Sequence, residues 1–480
     1  MQDFPVHFAT LRVLRAFHDP RFGFDTDYEL TLGRTQYFGF YAVGYALAMV
    51  VGARAATLLL VSFYVAGTVV GMRSLLLALN RDERLAFAVL PALYGSLFAI
   101  GLIPFLFATP VTLWAIGVLV RRKLAPSLGL HLQVAALGLA LFYLHVVHLG
   151  VFLLAGAVMF PLRAKLATKA GALLSFAPAS TAVAWWLLAT NVGRRIFELT
   201  THWGATDRAP LGGAIADMHS WVADAYPDAS DEVTFALVLF ALVLASWLAF
   251  RDRSTQGRLE TSQPSEPAWR VKGYWVLPVV CFLLYLTGER SRGPIWPLCQ
   301  RYMQLGALLA VPLLGMPTTP RRRRAATAAI VATGLVCIAN SAWHFVLFNR
   351  EVGDLPGALT QMDPNKHVAA LIYWPHAKST RFWPFLHFGS YYQAEKGGVV
   401  DFSFAGYDQW PLSFRKGRFP LYDGPATPRW EFFPRDVVSH QPLDTYFDYA
   451  LVRDRGDAPI PTGFRLRWRG SRWEVFERTP

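Results

Sequence analysis

The sequence predicts a polytopic α-helical membrane protein of roughly nine to eleven helices, followed by a small C-terminal α/β domain. Three observations lead there. The chain of 480 residues is 54% hydrophobic and only 16% charged, where soluble domains carry about a quarter charged residues. Apolar runs recur at lengths suited to a bilayer, and the mean hydropathy is +0.30. From residue 350 onward the apolar runs shorten, proline becomes frequent and the pattern turns to that of strands.

Crossing a bilayer as a helix takes about twenty mostly apolar residues. The segments that qualify are "YFGFYAVGYALAMVVG" (37–52), "AATLLLVSFYVAGTVVG" (55–71), "AGALLSFAPASTAVAWWLLA" (170–189) and "VTFALVLFALVLASWLAF" (233–250). To these are added "YWVLPVVCFLLYLTG" (274–288), "YMQLGALLAVPLLGM" (302–316) and "AATAAIVATGLVCIANSAWHFVLF" (325–348). Regions 83–120 and 127–160 are apolar but broken by Gly, Pro and His, so each is expected to hold more than one helix.

The net charge of +13 does not point to nucleic acid, because the basic residues fall in short clusters between apolar segments. "RRK" (121–123), "RAKLATK" (163–169), the 251–272 loop and "RRRR" (321–324) read as cytoplasmic under the positive-inside rule. Counting outward from them places 190–231, 289–301 and everything after 350 outside. The domain reading is then an extracytoplasmic acidic loop over 1–36, a multi-helix membrane domain over 37–349 and an extracytoplasmic soluble α/β domain over 350–480. In that last part "HVAALIYW" (367–374) and "FDYALVRD" (447–454) read as buried strands, and "FRLRWRGSRWEVFER" (464–478) as a hairpin around Gly-Ser.

Candidate chemistry lies in two places. The N-terminal stretch carries Asp3 in "DFPVHF", then Asp25, Asp27 and Glu29 in "DTDYEL". Carboxylates at a membrane surface serve as a general base or orient an acceptor hydroxyl, and they also hold divalent cations. The plainer reading is solvated loop charge. The second place is "GERSRGPIWPLCQRY" (288–302), where Arg290, Arg292 and Arg301 offer guanidinium groups for a phosphate. Its plainer reading is headgroup contact and snorkelling.

Weaker signals accompany these. His145 and His148 share a helical face but have no third metal ligand in view, and a hydrogen-bonded turn is the more economical reading. His131 has no assigned role. Trp185 and Trp186 read as an interfacial belt, and "LGGAIADMHSWVADAY" within the 191–232 loop reads as an interfacial or surface helix. Cys281, Cys299 and Cys337 show neither metal spacing nor a disulfide framework.

Taken together, these segments resemble the GT-C superfamily of polytopic glycosyltransferases, which use polyprenyl-phosphate-linked donors. "DFPVHFATLRVL" looks like the start of that group's large outer loop, with Asp3 in place of its first acidic residue. Asp25, Asp27 or Glu29 takes the place of the second. The run 95–123 resembles the group's broken middle helices, and "WPLCQRYMQLGALL" (296–309) is similar to its arginine-led entry into a late helix. A GT-C chain carries a membrane helix ahead of the acidic loop. None precedes Asp3 here, so the expectation is a missing N-terminal segment.

The resemblance implies an integral, multi-pass enzyme of the inner (cytoplasmic) membrane. It would move a hexosyl or pentosyl group from a polyprenyl-phosphate sugar to a hydroxyl of a glycan, lipid or protein acceptor. In it Asp3, Asp27 and Glu29 are the catalytic candidates, and Arg290, Arg292 and Arg301 hold the lipid phosphate. The resemblance implies no metal and no other cofactor, and the stretch 382–398 would contact the acceptor. Two rival readings are a transporter or flippase of lipid-linked glycans and a non-catalytic envelope scaffold. The few charges within the spans speak against ion-coupled transport.

Overall fold

A computed structural model describes residues 1–32, 37–191, 193–194, 198, 207–256, 273–291, 296–407, 410–418 and 430–480. The chain is 64% helical, so its mass lies in helices rather than in the sheet near the C-terminus. Among the described residues four helices are long and apolar enough to cross a membrane: Ala53–Ala78, Ile103–Leu124, Ser230–Asp252 and Pro320–Val352. The pair Leu166–Leu174 and Ala177–Ala189, bent by 43° at its break, makes a fifth if counted as one span. The chain divides into two compact units, one of residues 1–60, 99–103 and 343–480, the other of residues 61–98 and 104–342.

The second unit is helical. The apolar window of Ile103–Leu124 is 89% buried, against 22% for Ser230–Asp252 and 28% for Pro320–Val352. The first is therefore a core helix, while the other two turn apolar surface outward, as Leu237, Phe240, Val243 and Trp247 do. Gly67 and Gly71 let the backbone around Pro110 come close, because a Cβ on Gly71 would stand 2.6 Å from the Pro110 carbonyl oxygen. Small residues four apart are the usual device for close helix approach in an apolar medium.

The two broken regions resolve into short pieces. Residues 83–120 form a 3-10 stretch over Glu83–Tyr94, a turn of helix over Ser96–Ile100 and then most of Ile103–Leu124. Residues 127–160 form Leu128–Leu144 and Val146–Val158, with His145 between them accepting from the Val147 N–H. Of the four consecutive arginines, Arg322 pairs with Asp252 and Arg323 with Asp82, each at 2.6 Å.

The first unit holds the sheet. Five strands run in the order β3 (Val399–Val400), β2 (His367–Ile372), β5 (Tyr449–Arg453), β7 (Trp473–Arg478), β6 (Phe464–Arg469). β2 is parallel to β3 and β5, while β7 is antiparallel to β5 and β6. Both faces are covered. Val368, Ile372, Leu451 and Val475 pack with Phe385, Phe388 and Tyr392 on one face, and Ala369, Leu371, Ala450 and Phe476 with Val437, Leu443 and Phe447 on the other. Cover on both faces explains why β2 and β5 are continuous apolar runs rather than alternating ones. The N-terminal stretch belongs to the same unit. Its strand β1 (Tyr28–Leu30) pairs antiparallel with β4 (Leu412–Phe414), Tyr28 opposite Phe414.

Candidate functional site

Asp3 stands immediately ahead of the helix Phe4–Arg15, whose first helical residues include Pro5. Aspartate at this position ordinarily accepts a hydrogen bond from the first turn of its helix, but the Asp3 side chain makes no such cap. It is spent elsewhere. Oδ1 accepts from His387 Nδ1 at 3.0 Å, and Asp3 is 8% exposed. The backbone fixes the carboxylate in place: Gln2 N–H donates to the Ala99 carbonyl and Asp3 N–H to the Ile100 carbonyl, both at 3.0 Å. The next residue, Gly101, has φ +93°, and a Cβ there would lie 2.8 Å from the Asp3 nitrogen, so this close approach requires glycine.

His387 precedes the helix Ser390–Lys396 and lies flat on Phe402, with ring centroids 3.9 Å apart and planes 6° from parallel. A buried carboxylate acts as the acceptor, so Nδ1 carries the proton and Nε2 the lone pair. Among the described residues Nε2 has no hydrogen-bond partner. The His387 ring lines a narrow recess together with Ser390, Asp401 and Glu431. Asp401 accepts the N–H groups of Ala370 and Phe402, each at 2.9 Å. Burial nevertheless raises its pKa to about 8, so it is protonated at neutral pH.

One turn beyond Asp3, His7 bonds through Nδ1 to the Tyr41 hydroxyl at 2.8 Å, inside a ring of Phe40, Phe404 and Trp410. Burial lowers its pKa to about 4, outweighing the nearby Asp3 charge, and keeps it neutral.

The other predicted carboxylates separate by face. Asp27 is 6% exposed, with Oδ2 3.9 Å from His367 Nε2 and Oδ1 unpartnered among the described residues. His367 in turn stacks on Tyr446 at 4.5 Å. Asp25 and Glu29 face outward, where Glu29 Oε1 accepts from the Ser413 hydroxyl at 3.0 Å. Asp3 and Asp27 are not brought into a carboxylate pair by any contact among the described residues; each has a histidine of its own.

The arginines lie in the helical unit and differ in their company. Arg290 pairs with Asp217 at 2.6 Å. Arg292 lies outside the described residues. Arg301, at the start of Gln300–Ala310, is 7% exposed and directs Nη1 at His145 Nε2, 3.1 Å away. The guanidinium also sits over the Phe105 ring at 5.8 Å. Its Nε has no partner, and no carboxylate among the described residues pairs with it. His145 already accepts from Val147 through Nδ1. A neutral imidazole offers one lone pair, so it cannot satisfy both donors. A buried cation in this state calls for an anion.

Among the described residues, His219, Asp224 and Glu232 bring possible cation ligands within 4.8 Å of one another. His219 is exposed and its Nδ1 bonds the Ala216 carbonyl, which leaves Nε2 on offer.

His387, His367 and Asp401 were not singled out by sequence reasoning. The only available signal was a histidine inside the aromatic run "FWPFLHFGSYY", within the stretch expected near an acceptor. No protein-family model matches the chain, and neither a curated protein nor a solved structure matches it.

Proposed function

We propose that the chain is a membrane glycosyltransferase of the GT-C type, transferring a sugar from a polyprenyl-phosphate donor to an acceptor hydroxyl on the extracytoplasmic side. The observation that carries this reading is the buried Asp3–His387 pair at the head of the Phe4–Arg15 helix. A buried carboxylate–imidazole pair, its carboxylate withheld from capping its own helix, is suited to accepting a proton as a unit.

Arg301 supports the donor half of the reading. A buried guanidinium with no carboxylate partner among the described residues is matched in charge and shape by a lipid phosphate, and it would stabilise the charge that grows on that phosphate as the glycosidic bond breaks. Arg290 is a weaker choice because Asp217 already neutralises it. The membrane-embedded helix count in this reading is nine among the described residues, taking the bent pair as one span and adding the four shorter apolar helices. The protein would reside in the inner membrane with the domain after residue 350 on the extracytoplasmic side.

The test uses the full chain in detergent or nanodiscs, offered polyprenyl-phosphate sugars and an envelope extract as acceptor. Native mass spectrometry should show the sugar lipid retained in preference to bulk phospholipid, and free polyprenyl phosphate appearing with extract. Asp3→Asn should retain the lipid but lose turnover by about 10²-fold or more, and Arg301→Ala should lose the lipid. No preference over bulk phospholipid would sink the enzyme reading and favour a scaffold or transporter.

A further inference from the structure

We propose that His387, rather than Asp3, takes the proton from the acceptor hydroxyl, and that Asp3 acts as the positioning residue behind it. The proposal rests on the transferase reading and assigns the atom that does the work.

Four observations carry it. His387 Nδ1 faces Asp3 Oδ1 at 3.0 Å. An ionised carboxylate only accepts, so this contact places the ring proton on Nδ1 and leaves the Nε2 lone pair bare. That atom is buried and unpartnered among the described residues, in a side chain 5% exposed. In the substrate-free chain the recess the ring lines is too narrow to admit a water molecule, so solvent does not satisfy the lone pair, and the acceptor must widen the recess to reach Nε2.

Buried polar atoms left without partners are rare in native structures and call for an explanation. A base waiting for a substrate proton is one. Asp3 is in addition pinned by its backbone N–H to the Ile100 carbonyl, and the imidazole is clamped against Phe402. An acid held still behind a held imidazole is the arrangement that sets tautomer and stabilises the imidazolium in carboxylate–histidine catalysis.

The step balances as follows. The acceptor O–H gives its proton to His387 Nε2 as its oxygen bonds to the anomeric carbon of the donor sugar. The bond from that carbon to the phosphate oxygen breaks, and its electron pair leaves with polyprenyl phosphate. The imidazolium, with protons on both nitrogens, is balanced by the Asp3 carboxylate until Nε2 releases its proton to solvent as the recess opens to let the product go.

The decisive variant is His387→Asn, whose amide reproduces the Nδ1 donor to Asp3 but supplies no base. The expected result is a fall in kcat of about 10²- to 10⁴-fold, with unchanged KM for the lipid donor and an unchanged melting temperature. Asp3→Asn should fall comparably, and the double variant should be no worse than either, since residues acting as a unit are not additive. If His387→Asn keeps its rate while Asp3→Asn is dead, Asp3 is the direct base and the proposal fails. If the unaltered protein transfers no sugar at all, the transferase reading falls first.

A second measurement needs no turnover. Histidine-selective ¹⁵N spectra of the full-length protein, with the His387 signal assigned by its loss in His387→Asn or His387→Gln, should show the tautomer protonated on Nδ1. In Asp3→Asn that preference should be lost. Finding Nε2 protonated in the unaltered protein overturns the proposal whatever the kinetics show.

Discussion

Asp401 in the sheet-bearing unit and Arg301 in the helical unit pose the same problem with opposite sign. Each is an ionisable group deep in its unit, and neither has an ion-pair partner among the described residues. Their solutions differ because their chemistries differ. A carboxyl escapes the cost of burial by binding a proton, and Asp401 does so, its pKa pushed up to about 8 by desolvation. A guanidinium is not deprotonated in proteins, so Arg301 stays charged, leans on the Phe105 ring and an overcommitted His145, and waits for an anion. The first solution makes a region sensitive to pH. The second makes it sensitive to ligands.

The largest expected effect tests the first half of that contrast. Asp401 binds its proton up to about 8 when folded and only up to 3.8 when unfolded. Between those values the folded state holds more protons, so stability falls as pH rises. The contribution is complete below 3.8 and gone above about 8, with a ceiling of about 6 kcal/mol. Melting temperatures of the full protein across pH should fall through this window, and Asp401→Asn should flatten that limb. A variant as pH-sensitive as the original would show that Asp401 is not the group responsible.

A smaller effect of opposite sign comes from His7, whose folded pKa is about 4 against 6.5 unfolded. Here the unfolded state holds more protons between those values. Stability is therefore complete above 6.5 and is lost as pH falls towards 4, with a ceiling of about 3 kcal/mol. His7→Gln should remove the acid limb while leaving the Asp401 limb above pH 6.5 intact. Loss of both limbs together would mean that a single cooperative rearrangement, rather than two titrations, sets the profile.

The helical unit should answer to anions instead. A short polyprenyl phosphate at a hundred times its dissociation constant should stabilise the protein by about 2.7 kcal/mol, and Arg301→Met should erase that gain. Without ligand the same substitution should cost little, or raise stability by about 1 kcal/mol, because replacing a buried uncompensated charge with an apolar side chain removes a desolvation cost. A large loss of stability in ligand-free Arg301→Met would show that His145 and Phe105 already compensate the cation, and would undo the comparison.

Much of the secondary structure was legible because its signals are local. Apolar runs of bilayer length mark the long helices, the uninterrupted β2 and β5 segments mark strands covered on both faces, and Gly470-Ser471 marks the β6–β7 turn. Asp3, Asp27 and Arg301 were legible as charges in unusual settings. Their partners were not. Asp3 meets a histidine 384 residues away, β1 pairs with β4 across nearly the same separation, and Arg301 meets His145 at 156.

By itself, then, the sequence determined which segments shun water and which residues carry charge, since both follow from side-chain chemistry and short-range periodicity. Tertiary structure alone decided that Asp3 spends its carboxylate on His387, that Asp401 sits deep enough to hold a proton, and that Arg301 meets no carboxylate among the described residues. The desolvation of a charge depends on everything folded around it, and no stretch of neighbouring residues encodes that environment.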